Sequence, residues 1–126
     1  MKLNELKEIQ EYFEQSLYEM TTFNAKRTGL SSGTGLWVRT EPKGLSHTKY
    51  RVKFDHPQHG SAVFALWGDE PVQVAGDWVV SGKDLKKIKT LINLTHNHLR
   101  NHIDGIEDSG DLSDALQKYK TQVEEA

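Results

Sequence analysis

Cysteine is absent from this chain of 126 residues. Without it there is no disulfide framework, no thiolate nucleophile and no cysteine-ligated zinc site. The absence fits a reducing compartment, in which disulfides are rare. A chain of this length buries an ordinary core without disulfide bonds or a structural metal. We expect one domain over residues 1–126 with a short frayed tail at about 124–126.

Long apolar runs are missing as well. No stretch approaches the ~20 consecutive apolar residues that a membrane-spanning helix needs. The first eight residues, MKLNELKE, carry charge throughout and lack the apolar core of a signal peptide. We therefore expect no membrane contact and a location in the cytoplasm, of a bacterium or of a virus-infected cell.

A strong charge of one sign is the third feature that the chain lacks. The formal net charge is −2 and the isoelectric point is about 6.3. This balance gives no bulk attraction to nucleic acid or to an anionic membrane surface. Only a local basic patch could bind phosphate groups.

The clearest pattern that is present is a strict alternation from Thr48 to Phe54. A period of two predicts a strand with one buried face and one solvated face. The apolar positions are Tyr50, Val52 and Phe54. The basic positions are Lys49, Arg51 and Lys53. We expect the rest of the chain to pack around this strand, with helices on its apolar side.

The stretch before this strand divides into a helical and a loop segment. Apolar residues recur at steps of three and four over residues 3–21, which predicts an amphipathic helix with an acidic outer face. Residues 21–35 contain closely spaced Gly and Ser, which disfavour both helix and strand. We therefore expect a loop there.

Short apolar segments in the middle of the chain predict further strands. Residues 36–40 and 48–54 should form an antiparallel hairpin, because the link between them contains Pro and Gly. Residues 61–67 are apolar on both faces, which indicates a central strand. Residues 72–75 are a short fourth strand.

Two helices are predicted after the strands. Ser81 and Asp84 have the spacing of a helix start, with Ser81 as the capping residue. An apolar stripe then runs to about residue 103, and Asp104-Gly105 is a typical helix end. A last helix begins at Ser109 or Asp111. The expected fold class is α+β: an N-terminal helix, a three- to four-stranded antiparallel sheet and two C-terminal helices.

The basic side of the strands is the first candidate site. Its members would be Arg39, Lys49, Arg51 and Lys53, with Trp37 beside them. Basic residues at period two can follow a phosphate backbone, and a tryptophan can stack on a base. The plainer interpretation is a solvated sheet face, on which lysine also discourages edge-to-edge pairing.

Histidines form the second and third candidate sets. His47, His56 and His59 lie in loops at the two ends of the basic strand, and His56 or His59 could act as acid or base on RNA. Exposed loop histidines without a chemical role are the alternative. His98 and His102 share a helix face at a spacing known from zinc sites, but no glutamate follows His98. We expect no metal site, no cofactor and no assembled catalytic set.

Tryptophan is the residue type that favours protein binding. Trp67 and Trp78 suit a core, whereas Trp37 shares a strand face with Arg39. Exposed tryptophan beside arginine is the composition of interface hot spots. The residues expected to contact a partner are Trp37, Arg39, Lys49, Arg51 and Lys53.

The chain resembles a loose group of short proteins encoded by bacteria and phages. The resemblance rests on Thr28-Gly29-Leu30, on the hairpin from Leu36-Trp37-Val38 to Tyr50-Arg51-Val52-Lys53, and on Val80-Ser81-Gly82-Lys83-Asp84-Leu85. The helix end His98-Leu99-Arg100-Asn101-His102, followed by Asp104-Gly105 and a closing helix, completes it over about residues 28–120. It implies a small α+β fold and a bacterial or mobile-element origin. No activity is assigned to the group, so it implies no catalytic residue.

These observations favour a non-enzymatic protein that binds another protein, or a second copy of itself as a homodimer. It could be an inhibitor or accessory protein of a phage or mobile element. The alternative is an RNA-binding domain or an RNA-cleaving toxin. In that case the basic face would hold phosphates, and His56 or His59 would supply the acid or base. The sequence leaves the partner's identity and the oligomeric state open.

Overall fold

A computed structural model describes residues 20–31, 33–40, 50–66 and 70–126 of the chain. The strands in these ranges are β1 (Met20–Phe23), β2 (Gly35–Arg39), β3 (Arg51–His56), β4 (Gly60–Ala65) and β5 (Val72–Ala75). The helices in these ranges are α1 (Ala25–Thr28), α2 (Gly82–Ile103) and α3 (Ser109–Glu124). No helix among the described residues is long and apolar enough to cross a bilayer.

The strands form one antiparallel sheet in the order β1-β2-β3-β4-β5. The α+β class, the antiparallel pairing and the two C-terminal helices are therefore confirmed. The expected count of three to four strands is wrong for the described chain, which has five. The additional strand is β1, and the fourth predicted strand, Val72–Ala75, is observed as β5.

Strand β1 also corrects the expected end of the first helix. Met20 and Thr21 pair with Arg39 and Val38 instead of continuing a helix. Hydrogen bonding to β2 gives this backbone its partners, and such tertiary pairing overrides a helical periodicity read from sequence. Residues 3–19 of the predicted helix lie outside the described residues.

The predicted loop over residues 21–35 contains a second element, helix α1. Asn24 caps it, since the Asn24 side chain accepts a hydrogen bond from the Arg27 backbone N–H at 3.2 Å. Gly29, with φ of 81°, ends it in the left-handed conformation that glycine adopts without strain. A single turn of four residues is too short to produce an apolar period, so composition alone predicted a loop.

The alternation in β3 is confirmed. Val52 and Phe54 are buried, whereas Arg51 and Lys53 are half-buried on the other side. Phe54 meets Phe64 of β4 edge to face, with ring centroids 5.7 Å apart and an interplanar angle of 87°. Strand β4 has a partner on each side, as expected for an interior strand.

Helices α2 and α3 cover the apolar side of the sheet. Their stripes join Val52, Phe54 and Phe64 in one core. The buried apolar positions of α2 are Ile88, Leu91, Ile92, Leu99 and Ile103. The buried positions of α3 are Leu112, Ala115, Leu116 and Val123. Both helices therefore match the predicted periodicity.

The expected cap at the start of α2 is not formed. Ser81 is the N-cap residue, but its side chain makes no capping hydrogen bond. Asp84 instead accepts a hydrogen bond from the Ser31 hydroxyl, which ties the loop after α1 to α2. A complete capping box is found at α3, where Asp108 and Asp111 each accept from the other's backbone N–H.

Candidate interaction surface

The side of the sheet that faces away from α2 and α3 is here called the outer face. Strand alternation and register bring its side chains into rows across the strands. One row crosses all five strands through Thr22, Trp37, Lys53, Val63 and Ala75. Trp37 and Lys53 are therefore direct cross-strand neighbours, although 16 positions separate them in the sequence.

Lys53 is held between an aromatic ring and a carboxylate. Its Nζ lies 5.4 Å from the Trp37 ring centroid and 3.6 Å from Asp55 Oδ2. The Ser61 hydroxyl donates to the other carboxylate oxygen, Asp55 Oδ1, at 2.6 Å. Exposed cation–π contacts contribute about 0.5–1 kcal/mol and exposed ion pairs about 0.2–1 kcal/mol. These contacts orient Lys53 over Trp37 and reduce its availability as an isolated phosphate ligand.

Two arginines extend the basic character of the outer face. Arg39 follows Val38 and Arg51 precedes Val52, and Val38 is paired with Val52 across the strands. Both arginine side chains are half-buried. Lys49, the fifth residue expected at this surface, lies outside the described residues. The described strands thus bring Trp37, Arg39, Arg51 and Lys53 together on one surface.

The loop histidines converge with each other, but away from this surface. His56 and His59 have ring centroids 4.3 Å apart, and they lie 5.2 and 5.9 Å from the ring of Trp78. Trp78 is buried and belongs to the core. Since His56 continues the alternation of Val52 and Phe54, it lies on the side of β3 opposite Lys53. His47 lies outside the described residues.

The hydrogen-bonding state of His56 follows from its turn. Its Nδ1 accepts a hydrogen bond from the Gln58 backbone N–H at 3.1 Å, so this nitrogen is engaged within the turn. The basic residues lie on the other face of the sheet. The histidines and the basic residues that the RNA-cleaving hypothesis requires therefore do not share one surface.

Asp77 fixes the turn that holds the two histidines. The Ser61 backbone N–H donates to Asp77 Oδ1 at 2.8 Å, and this bond is the largest cause that lowers the pKa of Asp77 from its ordinary value. The Asp77 and Trp78 backbone N–H groups lower the pKa further, and desolvation opposes them. A carboxylate stabilised in its ionised form serves here to position backbone.

His98 and His102 act in the turn between α2 and α3. His98 Nδ1 donates to Glu107 Oε1 at 2.9 Å. His102 is buried, and its Nδ1 donates to the Glu107 carbonyl oxygen at 3.0 Å. The two rings thus bind the side chain and the backbone of the same residue. In the part of the chain that the structure describes, no three His, Asp or Glu residues cluster as a metal site would require.

A further contact, between Tyr50 and the C-terminal end of α2, is not indicated by any local sequence pattern. The Tyr50 hydroxyl donates to Asp104 Oδ1 at 2.9 Å, and the Arg100 guanidinium lies 4.4 Å from the Tyr50 ring centroid. These contacts span 50 residues or more and fix the start of β3 against the end of α2. The hairpin that carries the outer face is therefore anchored to the helix layer.

Clefts are also found among the described residues. One of about 590 Å³ separates β1 and α1 from α3, with Lys26, Arg27 and Ser113 in its wall. Another of about 330 Å³ lies beside α2 and contains His96. His96 Nε2 donates to the Leu66 carbonyl oxygen at 2.6 Å, so this ring ties α2 to the end of β4.

No family model, no curated protein and no solved structure matches this chain. The resemblance to short bacterial and phage-encoded proteins therefore stays a prediction.

Proposed function

We propose that this protein is a small non-enzymatic binding module whose outer face contacts another protein. The observation that carries the proposal is the position of Trp37. It lies half-buried in the middle of a sheet face, with Lys53 over its ring and Arg39 further along the same strand. In keeping with the resemblance, the module would be an inhibitor or accessory protein of a phage or mobile element.

The physical support is the rigidity of this surface. The backbone around Trp37 is paired on both sides, with Thr22 of β1 and Lys53 of β3. A large aromatic side chain on a fixed backbone loses little conformational entropy on binding. Tryptophan and arginine are also the residues most often found as interface hot spots, where truncation costs about 2 kcal/mol or more.

The test is a quantitative comparison of Trp37→Ala and Arg39→Ala with the native protein. The partner is first identified by cross-linking the tagged native chain in its host, and its affinity is then measured by calorimetry. We expect each variant to weaken binding by about 30-fold or more, the equivalent of a ~2 kcal/mol hot spot.

The matched control is Val79→Ala, which truncates a residue that is 81% exposed and lies outside the strands. It should bind like the native chain. Native affinity in both outer-face variants, with their folds intact by circular dichroism, would contradict the proposal.

A second candidate function is the binding of single-stranded RNA by the same face. The observation that favours it is that Trp37 shares the outer face with Arg39 and Arg51. Proteins that bind single-stranded nucleic acid combine base stacking on aromatic rings with phosphate contacts from basic residues. Fluorescence anisotropy of a labelled oligonucleotide, titrated with salt, separates the two functions. Binding that falls steeply with salt supports RNA recognition, and absence of binding at low salt removes it.

A further inference from the structure

We propose that the cleft between α1 and α3 binds a small metabolite that carries a phosphate monoester and a hydroxyl-rich organic part, as a sugar phosphate does. The cleft has a volume of about 590 Å³. The basic residues in its wall are Lys26 and Arg27, whereas Trp37 and the described basic residues of the outer face do not line it. The inference therefore goes beyond the proposed contact with another protein and concerns a separate binding site.

The wall of the cleft carries positive charge that no carboxylate neutralises. Lys26 and Arg27 are exposed residues of α1, and no described Asp or Glu lines the cleft. Within the described ranges neither cation forms an ion pair with a carboxylate. Both charges are therefore available to an anionic ligand.

The guanidinium of Arg27 is held across the cleft. Its Nη1 donates to the Gln117 side-chain oxygen on α3 at 3.1 Å. Gln117 is neutral, so this bond orients the guanidinium and leaves its charge uncompensated. Arginine in a fixed orientation presents a planar fork of N–H groups, which can bind two oxygens of one phosphate.

Helix α1 is fixed in place, although it is a single turn. Asn24 caps its start, and Thr28 in its last position is buried. At its end Gly29 lies so close to α3 that a Cβ there would be 2.5 Å from the Lys120 carbonyl oxygen. The two cations therefore extend from a backbone that packs on α3, which lowers the entropy lost when a ligand binds.

The charge, polarity and size of the cleft indicate the class of ligand. A phosphate monoester has a charge of about −1.5 to −2 at pH 7 and three acceptor oxygens, which matches two cations better than a single carboxylate does. On the α3 side the wall contains the hydroxyl groups of Ser109 and Ser113, which suit the hydroxyl groups of a sugar. The volume lies within the range of about 300–1,000 Å³ that small-molecule sites occupy, so there is room for more than a bare phosphate.

The carboxylates at the start of α3 limit the affinity of this site. Asp108 and Asp111 accept hydrogen bonds from each other's backbone N–H groups in the capping box. Neither residue lines the cleft, so neither blocks a ligand. Their charge nevertheless opposes that of an anion nearby, and salt screens this repulsion only in part. We therefore expect a Kd of about 1 mM or somewhat below for a sugar phosphate.

The experiment is an NMR titration of the isotope-labelled full chain in about 0.15 M salt, which screens long-range attraction between exposed charges. The probes are ribose-5-phosphate, inorganic phosphate and ribose. We expect ribose-5-phosphate to shift the backbone resonances of Arg27, Ser109 and Ser113 until they saturate, and inorganic phosphate to bind at the same place more weakly. Ribose, which lacks the phosphate, should leave these resonances unchanged.

Replacing either cation should weaken this binding. Lys26→Ala and Arg27→Ala should each raise the Kd for ribose-5-phosphate by about 10-fold, because each removes one charge-assisted contact with the phosphate. Lys86→Ala removes an exposed lysine of α2 that does not line the cleft. It is the matched control and should bind like the native chain.

A change on the opposite wall tests whether the ligand lies in the cleft. Ser113→Glu adds a carboxylate on the α3 side and should raise the Kd by about 10-fold or more, since it places like charge beside the phosphate. Thr121→Glu adds the same charge at an exposed position of α3, about 12 Å further along the helix. That distance exceeds the screening length of about 8 Å in this salt, so Thr121→Glu should bind like the native chain.

Three results would overturn the inference. The first is the absence of saturable shifts with either phosphate compound up to about 10 mM, roughly ten times the expected Kd. The second is equal affinity for ribose-5-phosphate in the native, Arg27→Ala and Ser113→Glu chains. The third is a response to ribose as large as that to ribose-5-phosphate. None of these bears on the proposed protein contact, whose test uses Trp37→Ala and Arg39→Ala.

Discussion

The Asp77 carboxylate accepts a hydrogen bond from the Ser61 backbone N–H, with 2.8 Å between Oδ1 and N. The two residues are 16 positions apart, and their contact joins the β3–β4 hairpin to the turn after β5. Because the bond favours the ionised carboxylate, it links the stability of the fold to pH.

Asp77 should contribute stability that is lost in acid. Its pKa is lower in the folded chain than the ordinary value of 3.8, so the contribution is fully present above that value and disappears as pH falls through the folded pKa. Urea unfolding from pH 7 down to pH 2.5 should show native and Asp77→Asn chains converging below about pH 4. Asp114→Asn is the control at an exposed helix position, and an equal pH response in both variants would contradict the assignment.

Gly76, in the turn after β5, should tolerate a side chain less well than Gly82 at the start of α2. It has φ of 109°, and a Cβ there would lie 2.7 Å from Ala62 Cα, a backbone atom that cannot move aside. Gly82 also has positive φ, at 60°, but a Cβ would meet nothing within 4 Å. Gly82→Ala should therefore lose about 1–2 kcal/mol of unfolding free energy from backbone strain alone.

Gly76→Ala should lose clearly more, because steric overlap adds to a similar strain. Chemical denaturation of the two variants measures the difference. Equal losses would mean that the β5 turn relaxes around the added methyl group.

The two long helices should respond differently to loss of the N-cap side chain. Asp108→Ala removes a working capping box and should cost about 0.5–2 kcal/mol. Ser81→Ala removes a hydroxyl that makes no capping bond, so the change should stay within about 0.5 kcal/mol. Thermal and urea unfolding of the two variants provide the comparison, and a larger loss at Ser81 would refute it.

The Gln73 side chain should be essential to the segment after β5. Its Nε2 donates to the Trp78 carbonyl oxygen at 2.6 Å, and its Oε1 accepts from the Val80 backbone N–H at 3.2 Å. Gln73→Glu retains the acceptor but cannot donate, which should cost about 1–3 kcal/mol for the carbonyl left without its partner. Gln58→Glu, the same change in an exposed turn, is the control, and a similar small loss in both would argue against this role.

Two features of the fold could be predicted because they repeat along the chain. The alternation of Val52 and Phe54 with Arg51 and Lys53 gave strand β3 and its two faces. The stripes of α2 and α3 gave both helices to within a residue or two. Such periods arise from burial of one side of an element, so each is visible within a single segment.

The candidate surface was predicted in part. Alternation predicted the sides of Trp37, Arg51 and Lys53, but not that Trp37 and Lys53 are opposite each other, because register depends on pairing between strands. The turn between α2 and α3 was predicted from Asp104-Gly105 as a helix end. The hydrogen bonds that close it, from the Ile106 and Glu107 backbone N–H groups to the Asn101 carbonyl oxygen, had no signal in the sequence.

By itself the sequence determined the α+β class, the antiparallel sheet and the two C-terminal helices, since burial patterns within segments encode them. Tertiary structure alone decided that Met20–Phe23 is a strand, that Asp84 binds Ser31 and that His56 packs on Trp78. Each of these depends on a partner distant in the sequence. A short segment or a polar side chain could pair with several distant partners. The packing of the whole fold determines which of them it contacts.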